Sequence, residues 1–464
     1  MEGGFNKALL LTMDNGVEVI AKLPCPNAGP LKHNTASEVA VLEFVRNFTS
    51  VPVPKVLAWN SDSNNPVGAV YIIQERCSGK QLVDVWDDMN EPTKFKLIQS
   101  LSQLEGELSS IKFPAFGNLY LRTVCPGGSR PLDAAIDPDS KFCIGPGIDE
   151  TWPGASFLNS DETASYAGPW DQLADLGLGP AKRGLWHLEN SDTVVARGPH
   201  HGSNEEHITM LENAMKIIPI VSVTPLLQRH SRPVLWHTDL HLGNIFVADE
   251  NPTKILGLID WQYTTILPLL SQVRWPLFLN PPEGYQRGMA KLELPPNFEE
   301  MDPDEKAFAL AERDEATRTK CYEAALSKYS PASLLAMNQI SDTLRDLYIR
   351  CDKTYKEGII PLRDSLILIS ENWSNWGLSG QCPVTFSQEE IDTHEAELSQ
   401  YRDWHQLRGY THQLLYSDDE GWIPPQCDFE EMRAKHNYLY QVYLEKEELS
   451  EEEGRKTWFY RDRE

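Results

Sequence analysis

The chain has 464 residues, of which 41% are apolar, enough to bury two or three domain-sized cores or one large two-lobed enzyme. Its 68 acidic against 42 basic side chains leave a formal charge of −26, which opposes nucleic acid and anionic membrane surfaces as partners and suits solubility or the attraction of a cationic small molecule. No apolar run is long enough to span a bilayer. The eight cysteines, at 25, 77, 125, 143, 321, 351, 382 and 427, show no CxxC or zinc-type spacing, so they read as plain thiols of a reducing compartment.

The first residues alternate like a small antiparallel sheet. Apolar runs at Ala8 to Leu11, Val17 to Leu23 and Ala69 to Ile73 are separated by turn signals, and Asp14-Asn15-Gly16 predicts a tight hairpin. Between the second and third runs Thr35 and Ser37 offer helix caps, and Val41, Leu42, Val45 and Phe48 recur at helical spacing until Pro52 and Pro54. Ser78-Gly79 reads as a hinge, which divides the chain into a first lobe at 1–78 and a larger, mostly helical lobe at 79–464. Pro92 to Ile111 predicts the helix that opens the second lobe. Residues 113–203, rich in Gly, Pro, Asp and Trp, are expected to form a long irregular insertion, with His200-His201 in an exposed turn. Helical periodicity returns at His207 to Ile218. Residues 304–464 predict amphipathic helices over Asp304 to Tyr329, Leu334 to Tyr355 and Gln388 to Tyr416, and the charged run Glu445 to Lys456 reads as a solvated helix face.

The chemistry concentrates in His237-Thr238-Asp239-Leu240-His241-Leu242-Gly243-Asn244, a polar loop within 235–247 flanked by apolar segments that predict short strands. Asp239 is placed to accept a proton from a substrate hydroxyl, and the Asn244 oxygen to reach a magnesium ion on nucleotide phosphates. A strand-like stretch within 255–262 then delivers Asp260, a hard oxygen donor suited to the same metal. In the first lobe, Val19-Ile20-Ala21-Lys22 puts a lysine on a strand from which its ammonium can reach the α- and β-phosphates. Glu38 falls on the apolar side of the following helix, where an unpaired carboxylate is costly, and an ion pair with Lys22 resolves that cost. The alternation of His237, Asp239 and His241 can in principle ligate a transition metal, but no further ligand motif accompanies it, and both histidines read as loop braces.

The order of Lys22, Glu38, the HxDLHxxN loop and Asp260 resembles the aminoglycoside phosphotransferase and choline kinase-like family. Gly3-Gly4-Phe5-Asn6, Pro52 to Trp59, Pro66 to Ile73 and Phe142 to Asp149 bring it nearest to the fungal "altered inheritance of mitochondria" proteins. The resemblance implies an α+β, bilobal, protein-kinase-like fold, in which an N-lobe of small antiparallel β-sheet and one helix faces a mostly α-helical C-lobe. It implies ATP and Mg2+ as cofactors, Asp239 as catalytic base, Asn244 and Asp260 as magnesium ligands, and Lys22 with Glu38 as the phosphate-positioning pair. It assigns Gly4 and Asn6 to the phosphate-covering loop, Glu75 and Cys77 to the adenine-contacting hinge, and the chain to the mitochondrion, with the cytoplasm as the alternative. Such proteins enter the phosphate-covering loop from a preceding strand. Here only Met1 and Glu2 precede Gly3, so the first strand and any presequence are expected to be missing and the hold on ATP weakened. The expected activity is transfer of the γ-phosphoryl group to a hydroxyl of a small molecule. The alternative is a pseudokinase-like interaction or scaffold protein in mitochondrial maintenance.

Overall fold

Asp14-Asn15-Gly16 turns the chain as its sequence predicts, with Gly16 at φ +79° and Met13 and Val17 bonded through their backbones at 2.8 Å. The computed structural model describes residues 5–26, 28–148, 166–190, 199–288, 290–351, 353–417, 421, 423 and 427–460. The turn joins β1 (Asn6–Thr12) to β2 (Glu18–Pro24), and β3 (Val56–Asn60) and β4 (Tyr71–Glu75) complete an antiparallel sheet in the order β1-β2-β4-β3. β3 was hidden in the sequence behind Pro52 and Pro54. The expectation of a missing first strand concerns residues that lie outside the described ones.

Helix α1 spans Leu31–Phe48 and begins earlier than Thr35 and Ser37 suggest, since both are buried within its body. Pro30 supplies a preset φ of −74° at the cap, where its missing N–H costs nothing. The Asn34 side chain bonds back to the Ala28 carbonyl at 2.6 Å and fixes the entry. Residues Asn34 to Leu42 are all buried, because α1 lies between the first sheet and β6 (Asn118–Leu121).

At the expected hinge Gly79 has φ +83°, and a Cβ there would lie 2.1 Å from the Val247 carbonyl. Only glycine lets the chain pass so close. It leads into β5 (Lys80–Gln81), which pairs with β10 (Ile245–Val247), itself paired with β11 (Ile255–Leu258). Helix α2 (Glu91–Ser110) follows, capped by the Asn90 side chain, with Pro92 in its first turn.

The stretch 113–203 is not irregular throughout. It carries an antiparallel sheet of β6, β8 (Phe142–Gly145) and β7 (Arg130–Pro131), and a helix, α3 (Leu173–Asn190). His201 is buried, with its Nε2 bonded to the Tyr355 carbonyl at 3.1 Å, contrary to the expected exposed turn. Helix α4 (Asn204–Ser222) packs on α3. β9 (Pro233–Val234) pairs with β12 (Leu267–Pro268) on either side of the chemical motifs.

Of the carboxy-terminal helices, α5 (Pro303–Tyr329) packs along α2. The run Leu334 to Tyr355, expected to be one helix, is broken: α6 (Pro331–Gln339) ends, and Ser341 caps α7 (Asp342–Arg350) through the Leu344 N–H. α8 (Ile360–Glu371), α9 (Gln388–Leu415) and α10 (Phe429–Lys446) follow. The charged run at 445–456 divides between α10 and α11 (Glu451–Thr457), where a Ser450–Glu453 capping box starts a new helix. Among the described residues no helix is long and apolar enough to cross a membrane.

One apolar cluster joins Val39, Val41 and Val45 of α1 to Leu235, Leu240, Ile245, Leu258 and Trp261. The elements that carry the candidate site therefore share a core, and close packing lets neither lobe shift without disturbing the other.

Candidate active site

The loop from His237 to Asn244 is held by the residue that precedes Asp260. His237 accepts the Asp239 N–H on Nδ1 at 3.3 Å and donates from Nε2 to the Ile259 carbonyl at 2.9 Å. Ile259 in turn donates its N–H to the Asn244 carbonyl at 3.0 Å. Burial lowers the His237 pKa below the usual histidine value, so the ring stays neutral with one donor and one acceptor, as this double contact requires. It also packs against Trp261 at 4.6 Å between ring centres. His241 braces the loop from within, accepting the Gly243 N–H at 3.0 Å.

Asp260 has a left-handed backbone, φ 62°, as does Tyr263, φ 58°. Such a conformation costs roughly 1–3 kcal/mol outside glycine and persists only where surroundings impose it. Here they do: the Ile259 backbone is bonded on both sides, and the fully buried Trp261 donates its indole N–H to the Leu258 carbonyl at 3.0 Å.

Lys22 on β2 reaches the expected partner, Glu38, at 2.7 Å, and also Asp260, which no sequence pattern pairs with it, at 2.6 Å. Burial by itself would discharge the lysine, but Asp260 and Glu38 outweigh it and raise its pKa above the ordinary range. Burial drives Glu38 upward, against the pull of Lys22 and with the push of Asp260. For Asp260 burial is again the largest influence, yet the Lys22 ammonium above all, with the Gln262 N–H, pulls it below the usual aspartate value. The result is a lysine between two acids, one from each lobe.

Asn244 is buried, and its amide nitrogen donates to the Asp239 carbonyl at 2.9 Å and to the Asp239 carboxylate at 3.3 Å. That turns the amide oxygen away from Asp239. Its oxygen and the partly exposed Asp260 carboxylate are hard donors that fit magnesium, which usually takes one or two protein ligands beside phosphate and water. The Asp239 side chain is 56% exposed, with His241 Nε2 at 3.9 Å, so its carboxylate remains accessible to an incoming hydroxyl.

The remaining candidates are placed less as expected. Asn6 donates to the Gln262 side chain, and Phe5 meets Tyr263 edge-on at 5.7 Å, so the start of β1 sits against the segment just after Asp260. Gly4 lies outside the described residues. Glu75 turns its carboxylate to the Lys55 N–H, 3.1 Å, and to Arg46, 3.5 Å, on the wall of a groove of about 430 Å³ that Cys77 also lines. Burial and Glu75 push the Cys77 thiol up to about 11.

Two residues escaped the sequence reading. Gln262 contacts Asn6, and Arg274 lies close enough to Asp239 to feel its charge, which opposes the burial that lowers the arginine pKa. The Leu277 N–H bonds to the Leu240 carbonyl at 3.0 Å and secures the Arg274 segment beside the loop. No motif marks either residue.

The profile of the phosphotransferase enzyme family matches residues 3–271. A "Subtelomeric hrmA-associated cluster protein" of Aspergillus fumigatus is 29% identical over all of this chain and 96% of its own length. "Altered inheritance of mitochondria protein 9, mitochondrial" of Saccharomyces cerevisiae is 25% identical over 87% of this chain and 69% of its own length. Among solved structures, the GDP and kanamycin complex of APH(2")-IIia is 15% identical, covering 86% of this chain and 91% of its own, with a TM-score of 0.35. A thermostable mutant of aminoglycoside phosphotransferase APH(4)-Ia, in ternary complex with AMP-PNP and hygromycin B, is 14% identical, covering 79% of this chain and 87% of its own, with a TM-score of 0.37.

Proposed function

Because this chain belongs to the phosphotransferase enzyme family, whose profile matches more than half of it, we propose that it moves the γ-phosphoryl group of ATP to a hydroxyl of a small molecule, with magnesium as cofactor. The observation that carries the reading is Lys22 held between Glu38 and Asp260 across the lobes, facing a loop that presents Asp239 and Asn244. In it, Lys22 exchanges part of its contact with Asp260 for the α- and β-phosphates, and Glu38 keeps the ammonium from following them outward. Asn244 and Asp260 hold the metal, which when bound offsets charge on the β- and γ-phosphates. Asp239 takes the proton of the acceptor hydroxyl, and the Asn244 amide restrains the carboxylate for that task.

The net charge of −26 favours a cationic acceptor at long range, whereas Arg274 repels one beside Asp239; the short-range charge is less screened. A screen needs both kinds. The relatives named mitochondrial support a mitochondrial location.

The test is ADP release from ATP and magnesium over a panel of hydroxylated amines, hydroxy acids and neutral polyols. At least one acceptor should accelerate release, and Asp239→Asn should lower that rate by roughly 10²–10⁴-fold with ATP binding retained. Acceptor-dependent release that survives Asp239→Asn unchanged contradicts the mechanism.

A further inference from the structure

Asn118, the first residue of β6, is 1% exposed and uses both ends of its amide. Its oxygen accepts the Ile148 N–H at 3.0 Å and the Thr265 hydroxyl at 3.1 Å; its nitrogen donates to the Ser37 hydroxyl at 3.1 Å and the Ile148 carbonyl at 3.4 Å. The Ile148 backbone alone would satisfy a buried amide that merely fills the core. The two further bonds go to elements on opposite sides of the candidate site. Ser37 precedes Glu38 on α1, and Thr265 follows Asp260 by five residues, beyond the left-handed Asp260 and Tyr263. The neighbouring Gly117 pairs with Ile266 in both directions, at 3.0 and 2.8 Å, and a Cβ on it would lie 2.3 Å from the Gly145 carbonyl. The backbone is thus pressed into the position that lets one amide span both elements.

We propose that Asn118 is a positioning residue that ties α1 to the segment after Asp260 and so sets the register in which Glu38 and Asp260 share Lys22. Its side-chain hydrogen bonds go to Ser37, Ile148 and Thr265 and to none of the proposed reacting groups. The stretch 113–203 supplies it, which gives that excursion a part in aligning the lobes. The tie itself does not depend on the activity; its consequence for catalysis rests on the phosphotransferase reading.

Ser37→Ala and Thr265→Val each remove one arm while leaving Asn118 its Ile148 contacts; Thr265→Val also removes the hydroxyl's local contact with the Tyr263 carbonyl, 3.2 Å, so its effect is read on α1 and not on its own segment. Hydrogen exchange of the nucleotide-free protein should show Thr265→Val speeding exchange in α1 around residues 36–41, and Ser37→Ala speeding it at 260–266, each about fivefold for one lost buried hydrogen bond. Thr265→Ser, which keeps the hydroxyl, should restore the wild-type pattern. Changes confined to the mutated segment would overturn the tie. In a parallel titration with a fluorescent ATP analogue and magnesium, both variants should bind several-fold more weakly, and neither substitution should add to Asn118→Ala. Undiminished affinity in both would overturn the role in aligning Lys22. Absence of binding by the wild type would instead contradict the phosphotransferase reading, and the exchange experiment would still decide the tie.

Discussion

Glu38 and Glu105 sit on the two helices that flank the lobe junction, 5% and 1% exposed, and the chain treats them in opposite ways. Glu38 meets Lys22 at 2.7 Å, and Lys22 also meets Asp260. Glu105, on α2, accepts only the Tyr322 hydroxyl from α5, at 2.8 Å, and its other oxygen has no partner among the described residues. Burial raises the Glu105 pKa to about 8 against the weaker pull of Tyr322, so near neutral pH it is mostly a protonated acid. An acid can be buried cheaply by dropping its charge. Around Lys22 the charge is kept, at a cost in desolvation that hydrophobic packing would avoid. A kept charge is what the proposed phosphate-positioning role of Lys22 requires, and the neutral acid at the α2–α5 contact carries no such role.

Lys22→Met is the strongest way to break the contrast. It leaves Glu38 and Asp260 close together without their cation, and should cost about 3–5 kcal/mol in urea unfolding while abolishing measurable turnover. Adding Glu38→Leu should recover much of the stability by removing the stranded charge, with turnover still absent. Recovery of both would mean that the triad is only structural. Glu105→Gln should act through pH instead. Below the unfolded glutamate value of 4.5 the acid is protonated in both states and its contribution is intact. Between 4.5 and about 8 the unfolded chain ionises first, so wild-type stability falls as pH rises, and above about 8 that loss is complete. The variant should lack this fall, its advantage growing from pH 5 to 8 in denaturation curves and then levelling. A pH-independent difference would contradict the raised pKa. The smallest effect belongs to Tyr322→Phe, which removes a hydroxyl shared between the Glu105 carboxyl and the Arg274 carbonyl and should cost about 1 kcal/mol at pH 6, since one proton serves both acceptors.

Much of the site was legible because its chemistry is local. His237, Asp239 and Asn244 lie within eight consecutive residues, and the buried face of α1 made an unpaired Glu38 improbable on energetic grounds. The direct contact of Lys22 with Asp260 was not, since 238 residues separate them. Asn118 was hidden for the same reason, its partners lying on α1, at Ile148 and at Thr265. Helix α3 was missed because Gly177, Gly179, Pro180 and Gly184 have poor helix propensity. Tertiary packing explains the first two, where a Cβ would lie 2.7 Å from Ile218 and 2.7 Å from Trp170. The break before α7 was likewise a matter of capping at Ser341, which an amphipathic pattern running from Leu334 to Tyr355 conceals. Gly79 has the left-handed backbone that Ser78-Gly79 suggests, but which way Glu75 and Cys77 point depends on Arg46, Lys55 and Gly257, which no spacing rule connects to them.

If the junction of Lys22, Glu38, Asn244 and Asp260 holds ATP with magnesium, thermal unfolding with ATP, with and without the metal, should reveal it. ATP with magnesium at about a hundred times its dissociation constant should stabilise the wild type by about 2.7 kcal/mol, more than ATP without the metal, and Asp260→Ala should abolish the metal-dependent part. A wild-type protein that unfolds at the same temperature with millimolar ATP and magnesium as without them would contradict nucleotide binding at this junction.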